Sequence, residues 1–138
     1  MSLKPGDTPI RNAMLDPFCG GKGWAESPLA VPFFADRFLE SAKPGRLVLF
    51  LDRGEARVTI ERKGPSLYWE TVDGKLLKVT TALMRCGNLL YEAKNDEAIA
   101  EAARLFVAQN VNATLILGCE ERPKIELVLK RFGQVLYV

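Results

Sequence analysis

The tripeptide Glu92-Ala93-Lys94 is the pattern in this chain that comes nearest to metal-assisted chemistry. It ends a short apolar run, Leu89-Leu90-Tyr91, that is typical of a β-strand, and a helical pattern follows it. A carboxylate at a strand end and a neighbouring backbone carbonyl can hold a divalent cation, while a nearby lysine stabilises the attacking water or the developing charge. Glu92 and Lys94 are therefore a candidate catalytic pair.

A metal site of this kind needs a second carboxylate from an earlier part of the chain. Asp73 and Asp52 are the available acids, although Asp73-Gly74 is also a common two-residue hairpin turn. With such an acid, the motif is similar to the ligand set of the PD-(D/E)xK nuclease core, and this similarity implies a metal-dependent nuclease that uses Asp73, Glu92 and Lys94. The alternative is that Glu92 and Lys94 are solvated residues at a strand end.

Other catalytic sets are missing from the sequence. The chain has no histidine, and its cysteines Cys19, Cys86 and Cys119 form no C-x-x-C pair, which argues against a zinc site. Cys119 has no histidine to activate it as a nucleophile. The segment Gly118–Glu121 follows an apolar run, where open α/β sheets bind ligands, but its two glutamates disfavour an anion. We therefore expect no cofactor and no resident metal ion.

A set of basic residues lies in the middle of the chain, near Tyr68 and Trp69. The net charge of the whole chain is only +2, so any electrostatic footprint is local. Sheets that display basic and aromatic side chains bind single-stranded nucleic acid by phosphate contact and stacking. The residues expected to make such contacts are Arg53, Arg57, Arg62, Lys63, Lys75 and Lys78. The alternative is a mixed, solvated surface.

The first two thirds of the chain divide into three patterns. Residues 1–28 contain several prolines and a glycine-rich run, which predicts an irregular lead-in or linker before a single domain at residues 29–138. Residues 32–42 begin with proline and carry phenylalanines four positions apart, as in a short helix. Residues 46–80 alternate between apolar runs and turn signals, which predicts an antiparallel meander.

The last third of the chain predicts a β-α-β-α-β series. Asn95 is a favourable N-cap for the first helix, and Pro123 lies where the first turn of the second would be. Crossovers of this length imply parallel strands. The residues that give the second helix its apolar face are Ile125, Val128, Leu129 and Phe132. With no internal repeat evident, the expected fold is α+β with a mixed sheet: an N-terminal helix and antiparallel meander, then β-α-β-α-β.

Three short motifs in the C-terminal half match, in order, a helix that opens with acidic residues, a strand that ends in glycine, and a second helix opened by acids and a lysine, as one family shows. They are Asn95-Asp96-Glu97-Ala98-Ile99, Leu115-Ile116-Leu117-Gly118, and Glu120-Glu121 with Lys124. Through them the segment from Gly74 to Val138 resembles the large polyvalent-protein-associated domain of conjugative relaxases. The resemblance implies a non-catalytic accessory domain of a larger DNA-transfer protein.

Together these patterns favour a non-enzymatic accessory binding or scaffolding domain that contacts nucleic acid or a protein partner. The alternative is a divergent metal-dependent nuclease that uses Glu92 and Lys94. No apolar run reaches the roughly 18 residues that span a bilayer, so we expect no membrane partner. The N-terminus lacks the basic and apolar pattern of a signal peptide, which favours a cytoplasmic location.

Overall fold

The computed structural model of this chain describes residues 8–18, 21–41, 43–51, 57–71, 73–109, 112–119, 125–132 and 135–138. These ranges contain ten strands, which form one sheet, and two helices. The strands are β1 (Ile10–Phe18), β2 (Gly21–Ala25), β3 (Gly45–Leu51), β4 (Arg57–Lys63), β5 (Ser66–Glu70), β6 (Leu76–Cys86), β7 (Leu89–Ala93), β8 (Ala113–Cys119), β9 (Ile125–Phe132) and β10 (Val135–Tyr137). The helices are α1 (Val31–Glu40) and α2 (Asp96–Ala108).

The predicted α+β fold with a parallel β-α-β-α-β half is wrong. All the strand pairs in the described ranges are antiparallel, and the second predicted C-terminal helix is the strand β9. In β9, Leu127, Leu129 and Arg131 are buried and the residues between them are less so, which is the period of two that a strand requires. A short apolar segment fits both periods, so its helical spacing was misleading. The residues whose spacing had predicted a helix here are Ile125, Val128, Leu129 and Phe132.

The predicted crossover from β7 through α2 to β8 is present, but its two strands are not neighbours. β6 lies between them and pairs antiparallel with both, as Leu83 faces Glu92 on β7 and Ile116 on β8. β7 and β8 therefore run in the same direction on either side of an inserted strand. Hydrophobic patterns do not reveal this insertion, because they do not say which strand lies beside which.

A β-hairpin occupies much of the region predicted to be an irregular lead-in. β1 and β2 pair antiparallel, and the buried Ala13 and Leu15 alternate with less buried residues along β1. Pro9 precedes β1, where its missing N–H is tolerated, so it does not prevent the strand. Residues 1–7, 19 and 20 lie outside the described ranges.

Helix α1 and the meander from β3 to β6 confirm two of the predicted elements. Proline stands in the first turn of α1, where its missing N–H is no loss, and Phe34 and Phe38 share the buried face. The strands of the meander follow one another in the sheet in chain order. Gly64 and Gly74 adopt positive φ angles of 58° and 86° in the turns between them, a conformation that glycine allows without strain.

The described ranges form two ββαβββ units with the same order of elements, a repeat that is not evident in the sequence. β1 to β5 with α1 form the first unit, and β6 to β10 with α2 form the second. Their registers agree: Ala13 faces Ala25 on β2, and Ala82 faces Ala93 on β7. The ladders from β3 to β5 and from β8 to β10 match in the same way.

The two units join at both ends, so that the sheet closes on itself. β5 pairs with the first residues of β6. β10 meets the start of β1 in the same manner, with Tyr137 opposite Pro9 and hydrogen bonds of 2.8 and 2.9 Å between the backbones of Thr8 and Val138. β2 and β7 are extra strands on β1 and β6, outside this ring.

Both helices contact each other and pack on the inner face of the sheet, where one hydrophobic cluster spans the two units. Phe38 of α1 and Phe106 of α2 occupy equivalent positions, 68 residues apart, and both are buried. Within the described ranges, neither helix has the length and apolar character needed to cross a membrane.

Candidate anion-binding site

Arg62 is a charged residue on the apolar, inner face of the sheet. It belongs to β4, where it continues the inward alternation of Val58 and Ile60, and only 6% of its surface is exposed. Its guanidinium carbon lies 5.3 Å from the centroid of the Phe38 ring on α1. Cation–π contact of this kind offsets only part of the desolvation of a buried cation.

The guanidinium of Arg62 has neither a hydrogen bond nor a carboxylate partner among the described residues. Burial lowers the pKa of Arg62, and the nearby Arg104 guanidinium on α2 lowers it further by charge repulsion. Arg104 is itself paired with Glu101 at 2.7 Å, so its repulsion is partly offset. The Arg62 guanidinium lines two cavities and keeps some contact with solvent there, which leaves room for an anionic partner.

Arg131 occupies the same position with a carboxylate beside it, although its Nε is buried without a hydrogen-bond partner among the described residues. It occupies the place of Arg62 in the second unit, because Arg62 pairs with Gly45 on β3 and Arg131 pairs with Ala113 on β8. Arg131 is 4% exposed and lies 5.1 Å from the ring centroid of Phe106.

Unlike Arg62, Arg131 has acceptors around it. It donates hydrogen bonds to the carbonyl oxygens of Val107 and Gln109, at 3.4 and 3.1 Å, near the end of α2. It also donates to the carboxylate of Asp36 on α1. Burial raises the pKa of Asp36, and the charge and hydrogen bond of Arg131 oppose this effect.

The difference between the two arginines follows from a charge reversal on the helices. Each arginine faces the helix of the other unit, since Arg131 meets Asp36 on α1 and Arg62 meets Arg104 on α2. Asp36 and Arg104 occupy equivalent helix positions, 68 residues apart like the two phenylalanines. The first unit thus supplies a carboxylate to Arg131, and the second unit supplies Arg62 with a repulsive cation instead.

Two cavities reach Arg62. One has a volume of about 290 Å³ and lies between the β4–β5 turn and the first turns of α2, against Leu67 and Ile99. The other, of about 550 Å³, is more open and is lined by Arg46, Lys63 and residues near them. Arg46 is paired with Asp16 at 3.7 Å. Carboxylates line both cavities as well, Asp96 and Glu97 in the smaller and Asp16 and Glu61 in the larger. An anion that enters either cavity meets the Arg62 guanidinium, which forms no ion pair with a described residue.

This arrangement suits binding rather than bond making. A guanidinium presents five N–H donors in a planar fork that fits a carboxylate or a phosphate, and its charge does not titrate at neutral pH. No group of three or more cysteine, aspartate or glutamate residues in the described ranges is placed to hold a metal ion.

The structure separates Arg62 from the other residues of the predicted nucleic-acid surface. Arg57, Lys63, Lys75 and Lys78 are exposed, whereas Arg62 faces the core. Arg53 lies outside the described ranges. The alternation of β4 was the signal that could have placed Arg62 inside the protein.

Two of the exposed lysines already have partners. Lys63 lies 5.9 Å from the ring centroid of Tyr68, and Lys78 pairs with Asp96 at 3.8 Å. Glu61 and Glu70 lie on the same face of the sheet as Lys63, because they alternate with the inward residues of β4 and β5. The outer face of the meander thus carries both signs of charge.

The structure does not bring the predicted nuclease residues together. Glu92 and Lys94 are both exposed near the end of β7, beside the part of β6 that contains Leu83. Asp73 lies in the turn before β6, where it accepts a hydrogen bond from Thr71, and the stretch of β6 from its first residue to Leu83 alone spans about 23 Å. Asp73 and Glu92 are therefore too far apart to share one ion. Asp52 lies outside the described ranges.

The segment Gly118–Glu121 is described only in its first half. Gly118 and Cys119 end β8 and are buried, and the residues from Glu120 to Lys124 lie outside the described ranges. Cys119 is buried, and its Sγ lies 3.8 Å from the carbonyl oxygen of Leu77, as expected for a structural cysteine. Cys19 is also outside the described ranges.

Comparison with known proteins adds no assignment. No family model matches the chain, and no curated protein or solved structure matches it at a significant level.

Proposed function

We propose that this protein is a non-enzymatic binding domain whose ligand presents an anionic group to Arg62. The observation that carries the proposal is the contrast between two equivalent buried arginines. Arg131 is paired with Asp36, and Arg62 has no hydrogen-bond or ion-pair partner among the described residues and lies beside two cavities. Binding of an anion would supply Arg62 with the charge that the fold supplies to Arg131.

The physical advantage of such binding is large for a small ligand. Folding has already removed most of the Arg62 side chain from water. An incoming anion therefore gains a charge-assisted hydrogen bond without the further cost of desolvating a cation. Hydrogen bonds to charged groups contribute about 1.5–3 kcal/mol each, or roughly tenfold to a hundredfold in affinity.

The test is a set of thermal-unfolding measurements with acetate, phosphate and sulfate as probes at constant ionic strength. The wild type should gain stability with at least one of these anions, and Arg62→Met should not. Arg57→Met is the matched control, because it removes an exposed arginine from the same strand. Equal responses of the wild type and Arg62→Met to every anion would contradict the proposal.

Contact with single-stranded nucleic acid by the outer face of β4 and β5 is a second candidate. It is favoured by Arg57 and Lys63, which are both exposed and alternate with the inward residues of β4. The resemblance to relaxase-associated domains supports the same role, as an accessory part of a DNA-transfer protein.

The nucleic-acid candidate has its own test, a titration of fluorescent single-stranded DNA at low and moderate salt. Binding should weaken steeply as salt rises, because counterions are released from the phosphates. Lys63→Ala should weaken it, while Arg62→Met should not, because Arg62 faces the core. An absence of salt-dependent binding would exclude this candidate.

A further inference from the structure

The geometry points to a single carboxylate carried on an apolar body as the ligand of the cavity between Arg62 and α2. This inference rests on the proposed function, since it names the chemical class of the anion that Arg62 binds. It adds the part of the ligand that lies away from the guanidinium.

The residues that line the smaller cavity indicate that part of the ligand is apolar. Besides Arg62, it is formed by Pro65, Leu67, Ile99 and Ala100, with Asp96 and Glu97 as its other polar residues. A volume of about 290 Å³ is near the lower end of the size of small-molecule sites, which begins at about 300 Å³. A short or medium apolar chain would bury its surface against Leu67 and Ile99 while its head group stays at Arg62.

The acidic residues that line the cavity limit the negative charge that the ligand can carry. Asp96 accepts a hydrogen bond of 2.9 Å from Ser66 and pairs with Lys78, so its carboxylate is already engaged. Glu97 is exposed. Both carboxylates would repel a second negative charge, which favours a monoanion over a phosphate dianion or a polyanion in this cavity.

The second unit contains the same arginine–carboxylate interaction that we infer for the head group of the ligand. Its buried arginine, Arg131, binds the carboxylate of Asp36 against the ring of Phe106. Arg62 stands over the equivalent ring of Phe38, so a carboxylate of the ligand would take the place that Asp36 takes in the other unit.

Isothermal titration with octanoate, acetate, octyl phosphate and octylamine tests the inference. Octanoate should bind the wild type at least about tenfold more tightly than acetate, because each buried methylene contributes roughly threefold to fourfold. Arg62→Met should lower octanoate affinity about tenfold or more, and Arg57→Met should not. Ala100→Leu should fill part of the cavity, weakening octanoate while leaving acetate unchanged.

The outcomes separate the inference from the proposed function. Acetate binding that depends on Arg62, with octanoate no tighter, would overturn the apolar ligand and leave the anion site standing. Tighter binding of octyl phosphate than of octanoate would overturn the carboxylate, and equal binding of octylamine would overturn the role of charge. If no anion in either experiment responds to Arg62→Met, both proposals fail.

Discussion

Asp36 and Arg104 occupy equivalent positions on α1 and α2, and their opposite charges set the environments of the two buried arginines. Arg131 is in contact with a carboxylate, whereas the nearest charge that acts on Arg62 is the repulsive one of Arg104, which lowers its pKa. Burial of an unpaired charge is unfavourable, so a fold that keeps Arg62 gives up stability unless a ligand restores the balance. Arg62 therefore has the properties of a ligand-binding residue, because the fold could have paired it with a carboxylate of its own and did not.

Asp36 provides a pH test of this electrostatic picture. Its pKa is raised by burial despite the neighbouring Arg131, so the folded protein holds this proton more tightly than the unfolded chain does. Asp36 thus contributes stability below the ordinary carboxyl pKa of about 3.9, and that contribution is lost as pH rises through the raised pKa. Asp36→Asn, which does not titrate, should gain stability relative to the wild type as pH rises through that window.

Urea unfolding of the wild type and Asp36→Asn from about pH 3 to about pH 7 measures this difference. Glu26→Gln, which removes an exposed carboxylate, is measured beside it as a control for the loss of one negative charge. A wild type that gains stability relative to Asp36→Asn as pH rises would show that the pKa of Asp36 is lowered instead.

The sequence identified Arg62 as a site residue but for the wrong reason. It grouped Arg62 with Arg57 and Lys63 as parts of one basic surface, and the structure shows that the three do not share a face. Neither Asp36 nor Arg104 stood out, because their relation to the arginines depends on contacts between helices and strands that are distant in the chain. Periodicity reports the face of a strand and says nothing of what lies opposite.

At the scale of elements, the helix with the best start signal was also the one best predicted. Asn95 caps α2 by accepting a hydrogen bond of 2.8 Å from the backbone N–H of Ala98, and Asp96 and Glu97 follow in the first turn. The N-cap residue of α1, Ala30, makes no side-chain hydrogen bond, and a proline stands in the first turn of the helix. The two helices are equivalent in the fold and are stabilised locally by different means.

Asn95→Ala should therefore lower the free energy of unfolding by about 1 kcal/mol through the loss of the cap. Asn88→Ala is the control, since Asn88 lies in an exposed turn between β6 and β7. Chemical denaturation of both variants makes the measurement. A loss in Asn95→Ala no larger than that in Asn88→Ala would mean that the cap does not stabilise α2.

The predictions of secondary structure were wrong where the local sequence fits two kinds of structure equally well. β9 was predicted as a helix because its apolar residues fit both a helical and a strand period, and β1 was missed because Pro9 and the glycines near it suggested irregular chain. In both places the partner strand decides the outcome. β9 has β8 on one side, and β1 has β3, and neither pairing is visible in local sequence.

For the whole molecule, the repeated unit explains both the closed sheet and the position of the candidate site. Each ββαβββ unit leaves its last strand free to pair with the first strand of the other unit, so two units complete one ring. The buried arginines lie where each unit faces the helix of the other. The repeat escaped detection in the sequence because it is carried by buried positions and registers, and few residue identities are shared.

The closed ring predicts that the chain tolerates a circular permutation at the junction of the units. Thr8 and Val138 are joined by backbone hydrogen bonds, and the turn at Asp73-Gly74 is exposed and occupies the equivalent junction. A permutant that links residue 138 to the N-terminal segment and opens between Asp73 and Gly74 should fold and unfold in one cooperative transition.

A second permutant, opened between Leu115 and Ile116 inside β8, is the control and should fail to fold, because it cuts a strand with neighbours on both sides. Circular dichroism and thermal unfolding distinguish the two. An unfolded Asp73-Gly74 permutant would show that the contact between β10 and β1 does not join the units in solution.

The most direct test of the central claim is anion titration of Arg104→Asp beside Arg104→Ala. Both variants lose the 2.7 Å pair of Arg104 with Glu101, so that loss cancels in the comparison. Arg104→Asp should give Arg62 the carboxylate that Asp36 gives Arg131 and abolish the binding of acetate and octanoate. Arg104→Ala should still bind them. Equal anion affinity in the two variants would contradict the assignment of Arg62 as an open anion site.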